Sequence, residues 1–223
     1  MQKIKNKFPI QERLLVITLL SLNSGFIDGN TFLYNNERFA GMQTGNIIQA
    51  GIRLAQGKID QMWSFLLPFM AFLLGIMAAI MLKDIFKNQT RLLIEEISLT
   101  IQLIGIFAVA IFGSYFNDTL VIMLLSFLMA MQANTFVKLR GGNVATVFTT
   151  GNSKTFATHL LKAIRTKSVD AWKDAFSYFL VIFGFFSGAA ISTIASNSFN
   201  RYALLISPLI LLVAVILISI FKD

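Results

Sequence analysis

Six stretches of this sequence are each long and apolar enough to cross a bilayer. They run roughly Leu14–Leu33, Met62–Leu82, Leu92–Phe116, Leu120–Leu139, Ala175–Ile194 and Tyr202–Phe221. A crossing takes about 20 mostly apolar residues. The expected fold class is an all-α integral membrane protein: six transmembrane helices plus two short amphipathic or re-entrant ones, in a single membrane domain over 1–223. Composition agrees, with 56% hydrophobic and 13% charged residues, where a soluble domain carries about twice that charged share. The 22 phenylalanines outnumber tryptophan and tyrosine together, which suits a lipid-facing surface. Cysteine is absent, which excludes disulfides, thiolate metal sites and cysteine nucleophiles.

The net charge of +8 would suggest nucleic acid in a soluble chain. Here the basic residues cluster beside apolar spans and report orientation instead. Lys3, Lys5, Lys7 and Arg13 precede the first apolar run, as in a secretory signal. No small-x-small cleavage site follows, so the run is expected to remain as span one. With the N-terminus in the cytoplasm, fifteen of the nineteen basic residues fall inside. Arg38, Arg53, Lys58 and Arg201 fall outside. Both termini are therefore expected in the cytoplasm. Glu95 and Glu96 are expected at the interfacial end of the long third stretch.

Between spans one and two lies Gly41-Met-Gln-Thr-Gly-Asn46, and between spans four and five its echo, Val147-Phe-Thr-Thr-Gly-Asn152. Superposing the Thr-Gly-Asn triplets pairs Asn46 with Asn152, Gln49 with Thr155, Arg53 with His159 and Gln56 with Lys162. That spacing lines one face of a helix. Each segment is too short and too polar for an ordinary span, and is expected to be a surface or re-entrant helix. Thr44 and Thr150 are the expected N-caps.

The two halves, 13–116 and 119–221, match in outline: span, Thr-Gly-Asn helix, span, span. Phe72-Leu-Leu-Gly75 echoes Phe185-Phe-Ser-Gly188. Three spans per half is odd, so the second half enters from the opposite side, giving an inverted repeat like that of many secondary carriers.

Ser24-Gly-Phe-Ile-Asp28, Phe39-Ala-Gly-Met-Gln-Thr-Gly-Asn46, Thr149-Thr-Gly-Asn152 and the six-span plan resemble the YoaK-like family of bacterial membrane proteins, a domain of unknown function. The resemblance covers nearly the whole chain. It departs at Asn30, where a small apolar residue is expected, and at Gln43, which is more polar than usual. It implies the fold and residence in a bacterial inner membrane, and supplies no substrate.

Residues able to carry chemistry are few. Asp28 is a carboxylate inside a span, which costs several kcal/mol unless paired, protonated or hydrated. Its counterpart by register is Asn134. The patterns Gly25-x-x-x-Gly29 and Gly184-x-x-x-Gly188 point to close helix packing, within the monomer or between subunits. His159, the single histidine, has no neighbouring carboxylate in sequence, so no metal site is expected. No phosphate loop, nucleophile elbow or dinucleotide fingerprint is visible, so neither catalysis nor a cofactor is expected.

A helix N-terminus presents unpaired N–H groups and about half a positive charge. Two such ends meeting in the membrane would suit an anion or carboxylate. The expected substrate-binding residues are Asp28, Thr44, Gly45, Asn46, Asn134, Thr150, Gly151 and Asn152. The function they suggest is a secondary transporter, a permease of a small anionic or carboxylate-bearing solute, proton-coupled through Asp28. The alternative is a non-transporting assembly or signalling subunit. Expected partners are the lipid bilayer, the solute and a second copy as a homodimer, with no nucleic acid.

Overall fold

The computed structural model describes residues 8–86 and 94–221. Lys3, Lys5, Lys7, Lys87, Arg91 and Lys222, used above for orientation, lie outside the described residues, as does the start of the third stretch at Leu92. Eight α-helices carry the described chain: α1 Leu14–Tyr34, α2 Gln43–Ala55, α3 Ile59–Ile85, α4 Ile94–Phe112, α5 Asp118–Thr135, α6 Thr150–Thr166, α7 Val169–Phe199 and α8 Ile206–Phe221. A short hairpin of β1 (Lys138–Leu139) and β2 (Gly142–Asn143) follows α5.

Four helical runs among the described residues are long and apolar enough to cross a membrane: Ile59–Ile85, Ile94–Tyr115, Asp118–Thr135 and Val169–Phe221. The last contains α7 and α8, joined through Asn200 at a φ of 51° and a 3-10 turn over Asn200–Leu205. At 21 residues, α1 is long enough to span at 1.5 Å per residue. Its polar content is higher, but Ser21, Asn23, Ser24, Asp28, Asn30 and Thr31 are all buried. Helix α1 is thus enclosed by other helices and does not present those groups to lipid.

The helices pair in a regular way. Helix α1 packs along α7, and α5 along α3. Helix α2 lies on α3, α6 on α7, and α4 touches both α5 and α8. Glycine makes the two principal pairings possible. A methyl group at Gly25 would run into the Phe185 backbone carbonyl, and one at Gly188 into that of Leu22. At Gly75 it would run into the carbonyl of Phe127. The two small-xxx-small patterns therefore pack α1 against α7 within one chain, as backbone approach in apolar surroundings requires.

Polar contacts fix the ends. Asn36 Nδ2 donates to Asp118 Oδ2 at 3.2 Å, so the end of α1 lies beside the start of α5. At the other extreme, the Arg140 N–H donates to the Glu12 carbonyl at 2.9 Å and the Gly141 N–H to Glu12 Oε2 at 3.1 Å. The end of α5 thus lies beside the start of α1, and the two helices are antiparallel. Helix α2 follows one end of this pair and α6 the other.

Two local expectations are corrected. The fourth apolar stretch does not reach Leu139 as a helix: α5 stops at Thr135, and Leu139 belongs to the hairpin. Arg140 and Gly141 turn that hairpin at φ of 50° and 84°, the left-handed pair favoured in two-residue loops. Glu96, in the first turn of α4, is buried and accepts from Ser219 Oγ of α8 at 2.8 Å. The N-caps are Met42 and Thr149, neither with a side-chain cap bond. Helix α2 starts before Thr44 and α6 already includes Thr150; both threonines are exposed.

Candidate functional site

The two segments that lead into the Thr-Gly-Asn helices fold into the bundle and touch. Ala40, Thr146 and Val147 are fully buried. A methyl group at Gly41 would lie 2.6 Å from Val147 Cγ1 and 3.1 Å from Met129 Cε. Gly41 and Val147 occupy the same register in the two echoes, so equivalent positions meet each other. The absence of a side chain at 41 lets the valine at 147 fill the shared space.

Each asparagine clamps its own segment. Asn46 Nδ2 donates to the Phe39 carbonyl at 2.7 Å, and its Oδ1 accepts from the Phe39 N–H at 3.2 Å. Asn152 does the same with Ala145, at 2.6 and 3.0 Å. One side-chain amide pairs with both the N–H and the C=O of a half-buried residue, which lets an irregular backbone lead into an apolar interior. Gln43 extends the first clamp: its Nε2 donates to the Ala40 carbonyl at 2.7 Å, and its Oε1 accepts from Asn46 Nδ2 at 2.9 Å.

Asp28 faces this junction from α1. It is 3% exposed. Its Oδ1 accepts from the Gly41 N–H at 2.7 Å, with the N–H groups of Ala40 and Met42 also turned toward the carboxylate. Its Oδ2 has no hydrogen-bond partner. Backbone N–H groups just ahead of a helix carry its positive end, so a carboxylate from α1 already faces the start of α2. On its other side Asp28 lines an otherwise apolar cavity of about 430 Å³, together with Phe32, Phe39, Met42, Phe185 and Thr193.

The eight expected binding residues do not share one cavity. Asp28 lines the apolar one, and Met42, next to the first triplet, lines it too. Asn46 and Asn152 are buried with their amides engaged by backbone. Gly45 sits against the Phe39 ring, where a methyl would approach to 3.2 Å. Thr44, Thr150 and Gly151 are exposed, and Asn134 is half-buried.

Helix α6 gives His159 a setting that its sequence neighbours do not reveal. The ring stacks on Tyr178 with centroids 5.7 Å apart, and Nδ1 lies 3.9 Å from Asp174 Oδ2. A carboxylate is thus close in space. Among the described residues, no group of three or more His, Cys, Asp or Glu side chains could hold a metal.

Sequence reasoning passed over the pair Arg38 and Arg140. Arg38 Nη1 donates to the Ser64 carbonyl on α3 at 3.1 Å, and Arg140 Nη1 to Ser177 Oγ on α7 at 3.2 Å. Ser64 and Ser177 stand in the same register as Gly75 and Gly188, and Glu12 and Asp118 in that of Asn46 and Asn152. Arg38 and Arg140 themselves share neither register, so the sequence carries no signal for them as a pair. Burial lowers the Arg38 pKa from the usual guanidinium value, and nearby Asp118 acts in the opposite sense.

The chain belongs to the DUF1275 family, described as proteins of unknown function. The family's sequence model matches residues 16–217, nearly the whole chain, in keeping with the YoaK-like resemblance. No curated protein and no solved structure matches it. Family membership therefore brings no substrate, and the function has to be argued from the site.

Proposed function

We propose that this protein is a secondary transporter of a small anionic or carboxylate-bearing solute, with Asp28 as its proton-carrying group. The observation that carries this reading is the state of Asp28. A carboxylate on a helix in the interior of an apolar bundle keeps one oxygen without a partner and lines a 430 Å³ cavity. Ionisable groups at membrane depth are costly and mark ion or substrate pathways. Asn23, with both amide atoms unpartnered, and Asn30 extend the unpaired polar groups along α1.

The reading includes six crossings: α1, α3, α4, α5, α7 and α8. It takes α2 and α6 as re-entrant half-helices of an inverted repeat. Several features support this. Helix α1 on α7 is the counterpart of α5 on α3, and α2 on α3 of α6 on α7, while the mates α4 and α8 pack on each other. Gly41 meets Val147, its own equivalent. Helices α2 and α6 follow opposite ends of the α1–α5 pair. Interrupted helices meeting from two sides around a central site are a carrier architecture. Both termini are placed in the cytoplasm of a bacterial inner-membrane protein, on the asymmetry of basic residues. A homodimer would have to use a face other than the glycine patterns, which are consumed within the chain.

The test is proton movement in proteoliposomes loaded with a pH-sensitive dye. Phosphate, succinate and glutamate are offered in turn to the wild type and to Asp28→Asn. At least one should drive proton uptake through the wild type, and Asp28→Asn should abolish the proton signal. Solute uptake that proceeds with unchanged proton movement in Asp28→Asn would remove Asp28 from the mechanism. No flux of any of the three would defeat the assigned solute class.

A further inference from the structure

The end of the bundle where α1 meets the start of α5 holds a buried positive charge that the chain does not pair closely. Arg38 is 2% exposed. Its Nε donates to the Asn35 carbonyl at 2.7 Å. Its Nη1 donates to the Ser64 carbonyl at 3.1 Å and to Thr119 Oγ1 at 2.9 Å. All three acceptors are neutral. Among the described residues no carboxylate oxygen lies within 4 Å of the guanidinium. Asp118 acts on it from further away, and its Oδ2 accepts from Asn36. A guanidinium keeps its proton in a protein, and a buried charge needs a counter-charge.

Arg38 lines a cavity of about 500 Å³ together with Arg53, Asn36, Ser64, Asp118 and Thr119. Arg53 comes from α2 and brings a second guanidinium to the lining. Its Nε is buried without a partner, and its Nη1 reaches Gln56 Oε1 only at 3.5 Å. The opposite end of the molecule differs. There Arg140 bonds Ser177, lies 5.9 Å from the Phe8 ring centroid, and shares its hairpin with the Glu12 carboxylate.

We propose that the cavity between Arg38 and Arg53 binds a small oxyanion, a carboxylate or a phosphate. Two guanidinium groups face one carboxylate there, which leaves one unmatched positive charge and suits a singly charged anion. A guanidinium fork matches two oxygens of a carboxylate or phosphate at once. The Asn36 amide, which also donates to Asp118, and the Thr119 hydroxyl, which accepts from Arg38, add neutral polar groups to the lining. Such a site would gather the solute at one mouth of the carrier, separate from the Asp28 cavity. It deepens the proposed function by naming where the anion is first held. The same oxyanion chemistry is offered by a free solute and by a lipid headgroup. The exposed Ile47, Ile48 and Ile52 of α2 would lie beside the acyl chains of such a lipid.

Thermal unfolding of the purified full chain in phospholipid-free detergent decides the matter. Inorganic phosphate, acetate and phosphatidylglycerol are each added against a chloride control of equal ionic strength. The expected result is a concentration-dependent rise in Tm with at least one of them. The apparent affinity should fall at least tenfold in Arg53→Gln and less in Arg53→Lys, which keeps the charge but loses the fork. A response to phosphate or acetate assigns a free solute, and one confined to phosphatidylglycerol assigns a headgroup. Arg53 is half-buried near the end of α2, so these variants should fold; a melt without ligand checks this. Asp28→Asn should respond as the wild type does. Loss of transport in Asp28→Asn with the Tm response intact separates the two sites. No rise beyond the chloride control, or an equal rise in wild type and Arg53→Gln, overturns the site while leaving the Asp28 reading to its own test.

Discussion

The two Thr-Gly-Asn segments share a clamp and differ in almost everything around it. In both, the asparagine closes on the peptide seven residues earlier. In the first, Asp28 and Gln43 add a buried polar cluster, and position 41 is empty of side chain. In the second, Asn134 stands in the place of the carboxylate, Val147 fills the centre, and Gly151 opens onto free space. The first helix exposes Ile47, Ile48, Ile52 and Leu54 and carries one basic residue, Arg53; the second exposes Leu161 and Ile164 and carries Lys154, Lys162 and Arg165. A repeated motif has thus kept its local backbone solution while one copy took on the ionisable group. The clamp belongs to the fold, and the asymmetry is where a function can reside.

The largest effect should come from exchanging the central pair. Gly41→Val sets two valines against each other where a single methyl already comes within 2.6 Å of Val147. Overpacking of this kind costs about 1–3 kcal/mol or more, seen as a lower Tm in detergent. Adding Val147→Gly should restore more than half of the loss. A double variant no better than Gly41→Val would mean that the two positions do not share one space.

Removing the clamps comes next. Asn46→Ala and Asn152→Ala each free a half-buried peptide N–H and C=O that water can partly satisfy, at about 1–2 kcal/mol in all. Comparable Tm losses in the two variants would confirm a shared structural role. A small loss in one paired with abolished solute response would instead make that asparagine a ligand.

Asp28→Asn should change stability by less than about 1 kcal/mol, because the amide oxygen can still accept from Gly41. Transport is the property that should disappear. A Tm loss as large as that of the clamp variants would make Asp28 a structural cap of α2.

The smallest expected effect separates the two glycines. Gly151→Ala meets no atom within 4 Å and lies in the first turn of α6. It should therefore gain up to about 1 kcal/mol from reduced backbone freedom. Gly45→Ala meets the Phe39 ring at 3.2 Å and should gain nothing. Equal gains would show that the two helix starts are more alike than their surroundings suggest.

Much of the fold was legible because lipid imposes simple rules. Long apolar runs had to become helices, and α1, α3, α5 and α7 fall close to the expected stretches. The Thr-Gly-Asn echo marked two short helices correctly as elements. Their caps were misplaced, since a threonine beside a helix start is a good cap only if the chain turns there. Nothing local shows that Glu96, in the first turn of α4, is buried against Ser219 of α8, more than a hundred residues away. The candidate site was legible only in part. Asp28 stood out as a charge in an apolar run, whereas Arg38 looked like an ordinary loop cation, because nothing local shows that it is 2% exposed.

By itself, the sequence determined that the chain belongs in a membrane, that it is helical, and that two halves echo one another. Those properties follow from composition, run length and register, all of which are local. Tertiary structure decided which polar groups are satisfied. Asn46 and Asn152 proved to be backbone clamps, Asp28 kept an unpartnered oxygen, and Arg38 and Arg53 came to face one cavity. The physical reason is that a hydrogen bond or charge pair depends on distances of a few ångströms between residues far apart in the chain. Only the packing of α1, α3, α5 and α7 sets those distances.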